Sequence, residues 1–222
     1  DYVIGCDIGS QGVKAVLLSV DGQLLGEASA SYAIEYPHPT WAEQSAEMWL
    51  TAITDSLNAL TSSPGVAPDQ IRAIGLAAQV DGVVAVDAAG HPLRPAIIWM
   101  DHRAVPQCNA VARASDPARL FQLSGLNLDP SHVAPKIRWL ADNEPDVYAR
   151  ATLFLLPCSY VVHALTGELA VDYSNASSTL LMDVRAKTWS PELCAAFEID
   201  MDRLAPIRPA TAVIGKLRPA MA

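Results

Sequence analysis

Apolar residues in this chain come in short bursts, cut by glycine, proline and aspartate, and the first three bursts have strand character. Tyr2–Asp7 is an apolar run that closes on an acid and is followed by Gly9 and Gly12. Val13–Val20 is a second β-rich run, and the Asp21-Gly22 pair after it is a strong hairpin signal. Gln23–Tyr32 continues as a third strand, so three antiparallel strands open the chain. Pro37-His38-Pro39 then holds an extended loop. Ser45 stands as N-cap to a helix in which Trp49, Ala52, Ile53, Ser56, Leu57 and Leu60 recur at the helical period. Ser62–Pro68 ends it.

The later pattern alternates. Ile71–Ala77 reads as a buried strand with Val83–Val86 as its partner, Ala88-Ala89-Gly90 turns the chain, and Ala96–Trp99 is another short strand. Helices are predicted from Arg103 to about Ala114, over Pro117–Leu123, over Pro135–Asp142 and from Pro145 to Ala149. Leu153–Leu156 is a strand, and Cys158–Leu165 a short helix that Gly167 terminates. The tail from Pro206 shows no clear element. Three antiparallel strands, a helix and then alternating strands and helices predict a mixed α/β sheet.

Composition narrows the function classes. With 222 residues, 51% of them hydrophobic and 18% charged, the chain is ordinary globular material. A chain of that size buries roughly 70% of its extended surface. A net charge of −9 argues against a nucleic-acid groove, which needs clustered Lys and Arg, although backbone N–H groups and a metal ion can still bind a nucleotide locally. Cys6, Cys108, Cys158 and Cys194 form no C-x-x-C pair, so zinc is not expected; scattered thiols fit a reducing, cytoplasmic setting. No basic region followed by an apolar run marks a signal peptide, and no apolar stretch approaches the roughly 18 residues of a membrane span. The sequence begins at Asp1 without Met, which reads as a trimmed start.

The most specific local signal is Gly5-Cys6-Asp7-Ile8-Gly9-Ser10-Gln11-Gly12-Val13-Lys14. Gly9 and Gly12 permit a tight turn and close approach of a ligand. The turn offers N–H groups to an anion, with Ser10 and Gln11 adding side-chain hydrogen-bonding groups. Lys14 supplies a compact positive charge for a phosphate, and Asp7 can hold a metal ion or its waters. The spacing is neither G-x-x-x-x-G-K-[ST] nor G-x-G-x-x-G. A plain hairpin whose Asp, Gly and Ser only serve the turn would look the same on this segment alone.

Two further clusters stand at the ends of apolar strands, where open α/β sheets bind ligands. They are Gln79-Val80-Asp81-Gly82 and Ile97-Ile98-Trp99-Met100-Asp101-His102-Arg103. Trp99 can offer a flat face to a sugar, while Asp81 and Asp101 can accept hydrogen bonds from hydroxyls. A core Trp and loop-closing Asp–Arg pairs are the structural alternatives.

Together these segments resemble the FGGY family of carbohydrate kinases. The likeness extends to His38-Pro39-Thr40-Trp41-Ala42-Glu43-Gln44, to Pro95–Arg103, to Ala134-Pro135-Lys136-Ile137-Arg138-Trp139-Leu140, to Leu155–Glu168 and to Asp172–Ser178, and so covers essentially the whole chain. The resemblance implies an actin-like ATPase domain with a ribonuclease H-like core: a mixed sheet opened by three antiparallel strands, with helices on both faces. It implies ATP and magnesium as cofactors and a small-molecule sugar as partner. Neither nucleic acid nor membrane is implied, and a homodimer is left open. Residues 1–222 would be the N-terminal, sugar-binding domain of a two-domain enzyme, with the C-terminal domain outside this chain.

By the same resemblance, Asp7, Gly9, Ser10, Gln11, Gly12 and Lys14 handle phosphate, with Asp7 near magnesium, directly or through water. Val80, Asp81, Trp99, Asp101, Ser131 and His132 face the sugar. No catalytic base is assigned in this segment, since the family supplies it from the second domain, and the segment alone should be inactive. The branch acting on xylulose is most similar, which makes conversion of D-xylulose to D-xylulose 5-phosphate the leading reaction. That branch carries Met-His where this chain has Val80-Asp81, so kinases of ribulose, glycerol, erythritol or ribitol type are alternatives. A non-catalytic actin-like sugar or nucleotide sensor is the alternative from another class. A phosphatase or chaperone ATPase sharing the opening loop would have no need of the Trp99–Arg103 platform.

Overall fold

The computed structural model describes residues 1–62 and 66–219. The chain opens with β1 (Tyr2–Ile8), β2 (Gly12–Ser19) and β3 (Leu24–Ser31), followed by the short β4 (Glu43–Gln44) and helix α1 (Ala46–Thr61). Next come β5 (Ile71–Ala78), β6 (Val84–Val86) and β7 (Ala96–Ile97), then helices α2 (Val105–Ala114), α3 (Pro117–Ser124), α4 (Val133–Asn143) and α5 (Pro145–Arg150). β8 (Leu153–Leu155) leads into α6 (Pro157–Thr166). Short pieces complete the chain: β9 (Val171–Asp172), α7 (Tyr173–Ser177), β10 (Met182–Asp183), β11 (Thr188–Trp189), α8 (Pro191–Ala196) and β12 (Ile207–Arg208).

The main sheet has the order β3-β2-β1-β5. The first three strands are antiparallel, as their hairpin signals predict, and Gly22 turns between β2 and β3 at φ +86°. β5 runs parallel to β1, a pairing that needs a crossover, and α1 supplies it. The helix lies on β2 and β3 and buries Trp49 and Ile53 completely. Ser45 occupies its N-cap position but makes no side-chain cap bond. The largest core runs from Trp49 and Ile53 through Ile97 and Ile98 to Ile137, Leu140 and Phe154. All four cysteines are free thiols. No helix among the described residues is long and apolar enough to cross a membrane.

Three expectations need correction. Val83–Val86 does not pair with Ile71–Ala77; β6 pairs antiparallel with β8. Asp81 takes a left-handed conformation (φ +57°) between them, which turns the chain out of the sheet. All three β6 residues are apolar and fully buried, so they belong in the interior layer beside Leu153–Leu155. β5 in turn is not a buried strand: it closes one end of the sheet order, and its small residues Ala73, Gly75 and Ala77 are exposed. The tail also holds an element, β12, which pairs parallel with β9.

Gly12 acquires a cause that differs from the one its motif suggests. A Cβ built there would lie 2.5 Å from the Ala30 carbonyl oxygen, so the neighbouring strand β3 demands the glycine, not a ligand. Gly12→Ala should therefore cost about 2 kcal/mol through overpacking. Urea unfolding of the variant checks this; stability equal to the parent would mean that β3 yields without cost.

Candidate functional site

The hairpin between β1 and β2 carries the phosphate-turn residues on the wall of an open groove of about 650 Å³. Asp7, Gly9, Ser10, Gln11, Gly12 and Lys14 all line it, together with Trp99 and Met100. Asp7 and Lys14 stand opposite each other in the β1–β2 register, and both are exposed. The turn is tight: the Gly9 N–H donates to the Gly12 carbonyl at 2.9 Å. Trp99 reaches it from the end of β7, its indole N–H donating to Ser10 Oγ at 2.8 Å. Its ring remains 43% exposed, which leaves a flat apolar face beside the turn.

A second set of residues converges behind Trp99. Lys136, on α4, is fully buried, and its ammonium donates to the carbonyls of Asp81 (2.6 Å), Ile98 (2.8 Å) and Ser131. Those carbonyls belong to the loop after β5, the end of β7 and the loop before α4. Burial pushes the Lys136 pKa down to about 7, while the charges of Asp81 and Asp101 draw it up.

Asp81 and His132 meet in this arrangement, His132 Nδ1 lying 3.3 Å from Asp81 Oδ2. The other oxygen, Asp81 Oδ1, is buried and has no hydrogen-bond partner among the described residues. Ser131 donates from its N–H (2.9 Å) and its hydroxyl (2.5 Å) to Asp129 Oδ1. Burial alone would raise the Asp129 pKa, but the two Ser131 hydrogen bonds and the nearby histidines lower it. Val80 is 45% exposed beside Asp81.

Asp101 is placed differently from the other sugar-facing candidates. It is fully buried, and its carboxylate accepts from the Ala42 N–H at 2.6 Å, the Arg103 N–H at 2.9 Å and the Arg103 guanidinium. Both oxygens are engaged, so this side chain shapes the platform from below and does not offer itself to a hydroxyl. Arg103 continues the network to Glu43 at 2.6 Å, and Arg94 joins it through Glu43 and Glu144. The Arg103 guanidinium lies over the Trp41 ring, 3.7 Å from its centre, and 4.8 Å from that of Trp139, whose ring meets Trp41 edge to face.

Lys136 and Arg103 stand in segments that the family likeness picks out, but residue chemistry gives neither a role in the site. A usable signal exists only for Lys136, a single charge on a helical face otherwise made of Val133, Ala134, Ile137, Trp139 and Leu140.

Among the described residues no three His, Cys, Asp or Glu side chains gather as a closed metal site. A lone exposed carboxylate at a phosphate turn still fits magnesium, which keeps several waters and shares substrate phosphates.

A mixed sheet whose first hairpin makes a tight glycine turn, with polar strand ends gathered beside it, is the fold of an actin-like ATPase domain. Residues 2–222 match the FGGY family of carbohydrate kinases, N-terminal domain, and the chain belongs to that family. It is 33% identical over 219 residues to the xylulose kinase of Klebsiella pneumoniae, covering 99% of this chain and 44% of that protein. To the glycerol kinase of Trichodesmium erythraeum it is 30% identical over 225 residues, covering 98% and 45%. The crystal structure of xylulose kinase from Rhodospirillum rubrum matches with a TM-score of 0.94 at 26% identity, covering 100% of this chain and 46% of that one. The chain thus spans less than half the length of these relatives.

Lys136→Met leaves the Asp81 and Ser131 carbonyls without a donor, while the Ile98 carbonyl keeps only the Asp101 N–H at 3.1 Å, and should cost roughly 3 kcal/mol at neutral pH. The native Lys136 loses its proton near pH 7 and the unfolded one near 10.5, so the unfolded state binds more protons in between. Parental stability must therefore gain on the variant as pH rises through that window, by up to about 1.4 kcal/mol per unit. Paired denaturation curves from pH 6.5 to 9 test it; a gap independent of pH would refute the displaced titration.

Proposed function

We propose that this chain is the sugar-binding half of an ATP-dependent carbohydrate kinase, with D-xylulose, phosphorylated to D-xylulose 5-phosphate, as its leading substrate. One contact supports the reading above all: the 2.8 Å hydrogen bond from Trp99 to Ser10 joins a sugar-sized apolar face to the phosphate turn. Phosphoryl transfer needs that adjacency, because its catalysis is largely positioning and neutralisation of charge.

In this reading Ser10, Lys14 and the turn N–H groups bind phosphate, and Asp7 holds magnesium, through water where it does not touch the ion. Bound there, magnesium supplies neutralisation of phosphate charge. Trp99 and Val80 pack against the sugar, and Asp81 and His132 bind its hydroxyls. Ser131 holds its loop against Asp129 and Lys136, and Asp101 steadies the platform without touching substrate. The general base comes from the other half of the enzyme, so residues 1–222 alone bind sugar and transfer no phosphate.

Position 81 is the point at which substrate choice is open. An ionised Asp is an acceptor only, so it favours a ligand that presents a hydroxyl donor there. The glycerol kinase relatives keep a polyol substrate in view for the same reason.

A panel of ketoses and polyols with ATP and magnesium, run on the complete polypeptide, tests the assignment. Phosphorylation of D-xylulose above the other sugars is expected, and binding of sugars with no transfer to any would favour a sensor. Asp81→Asn keeps a residue that tolerates φ +57° while removing the charge, and should raise the sugar KM about tenfold or more with the ATP KM unchanged. Asp81→His should reorder the sugars; identical rankings in variant and parent would remove position 81 from specificity.

A further inference from the structure

The phosphate turn is gripped from behind by two side chains that no phosphate-binding role uses. Tyr32, just past β3, donates its hydroxyl to the Gly9 carbonyl at 2.6 Å. Gln44, in β4, donates Nε2 to the Ser10 carbonyl at 2.7 Å and to the Ala33 carbonyl at 3.2 Å. The Gln44 amide is fully buried and fully used, since its Oε1 accepts from Trp49 Nε1 at 3.2 Å and from Gln79 Nε2 at 2.8 Å. Its orientation is fixed by its partners: an indole N–H can only donate and two carbonyls can only accept. Burial and the nearby Asp7 charge push the Tyr32 phenol well above its usual pKa, so it remains a donor.

The consequence follows from the planarity of the peptide. In a trans peptide the carbonyl of one residue and the N–H of the next point in opposite directions. Holding the Gly9 carbonyl therefore aims the Ser10 N–H away from Tyr32, and holding the Ser10 carbonyl aims the Gln11 N–H away from Gln44. Neither N–H has an acceptor among the described residues, and both residues line the open groove. We propose that Tyr32 and Gln44 are positioning residues that hold these two N–H groups preorganised toward a phosphate. The proposal rests on the kinase reading above and adds two residues to it. Through Gln79, Gln44 also ties the turn to the loop that carries Asp81, so one amide sets the spacing between the phosphate and sugar sides.

The test uses the complete polypeptide and two near-isosteric variants, Tyr32→Phe and Gln44→Glu. The first removes one donor, and the second places a carboxylate against two carbonyls. Calorimetry reads the Kd of Mg·ATP and of the preferred sugar separately, and steady-state kinetics reads kcat. Each variant should weaken Mg·ATP or lower kcat by about three- to tenfold, the worth of one hydrogen bond, with the sugar Kd within about twofold of the parent. Parental Mg·ATP affinity and kcat in both variants would overturn the proposal. So would equal losses for sugar and nucleotide, the mark of general loosening. If Gln44→Glu does not fold, Tyr32→Phe decides alone. A parent that neither binds nor phosphorylates any sugar overturns the kinase reading and this proposal with it, whereas an active parent with unaffected variants overturns this proposal only.

Discussion

Lys136 is the charge that folding must bury before the platform of Asp81, Trp99 and His132 can exist. Its ammonium draws three carbonyls together, from Asp81, Ile98 and Ser131, which lie in segments far apart in sequence. No apolar side chain could replace it, because the Asp81 and Ser131 carbonyls would be left without donors and the Ile98 carbonyl with the Asp101 N–H alone. Desolvating an ammonium is expensive, and its pKa, pushed down to about 7, records that expense. The return is geometric. Asp81, Trp99 and His132 each stand next to a clamped segment, so their mutual placement depends on one ion and not on the stiffness of three loops.

The second buried ionic system has a different task. Arg103 lies against both Trp41 and Trp139 and binds both Asp101 and Glu43. Asp101 also accepts from the Ala42 N–H, which ties the stretch after β7 to the loop before β4. Trp99 sits two residues before Asp101 and takes its direction from that anchor. A planar guanidinium suits the site because its face can lie over an indole while its N–H groups bind carboxylates in its plane, which an ammonium cannot do. Arg103 and Lys136 are therefore not interchangeable, although both are buried cations behind the same platform.

How much of this was legible in the sequence depended on the range of the interactions. The opening hairpins were legible because Asp21-Gly22 and the strand patterns act within a few residues, and the phosphate turn was legible because its residue types are contiguous. The pairing of Val84–Val86 was not, since it depends on where Leu153–Leu155 arrives in space and on the left-handed turn at Asp81. Residue chemistry named Asp101 as a polar group at a strand end, but could not show that Arg103 and the Ala42 N–H occupy it. Gln44 ends a segment that carries the family likeness, but its role was unreadable for the same reason: its four partners come from residues 10, 33, 49 and 79. Candidate site residues were readable by type; those that hold them in place were readable only by contact.

Asp81 brings these constraints to one residue. Its backbone sits at φ +57°, a conformation that costs a non-glycine residue on the order of 1 kcal/mol, and its Oδ1 is buried without a partner, which costs roughly 1–3 kcal/mol more. Against a typical stability of about 5–15 kcal/mol these are not small sums. The clamp on the Asp81 carbonyl holds the backbone in place, and the contact with His132 fixes the other carboxylate oxygen, so the unpartnered oxygen cannot turn away to find water. An acceptor held under that restraint gains most from a hydroxyl that arrives with a ligand. On the proposed reading, the energy withheld in folding is released on binding, and a carboxylate at this position would discriminate between sugars that differ by one hydroxyl.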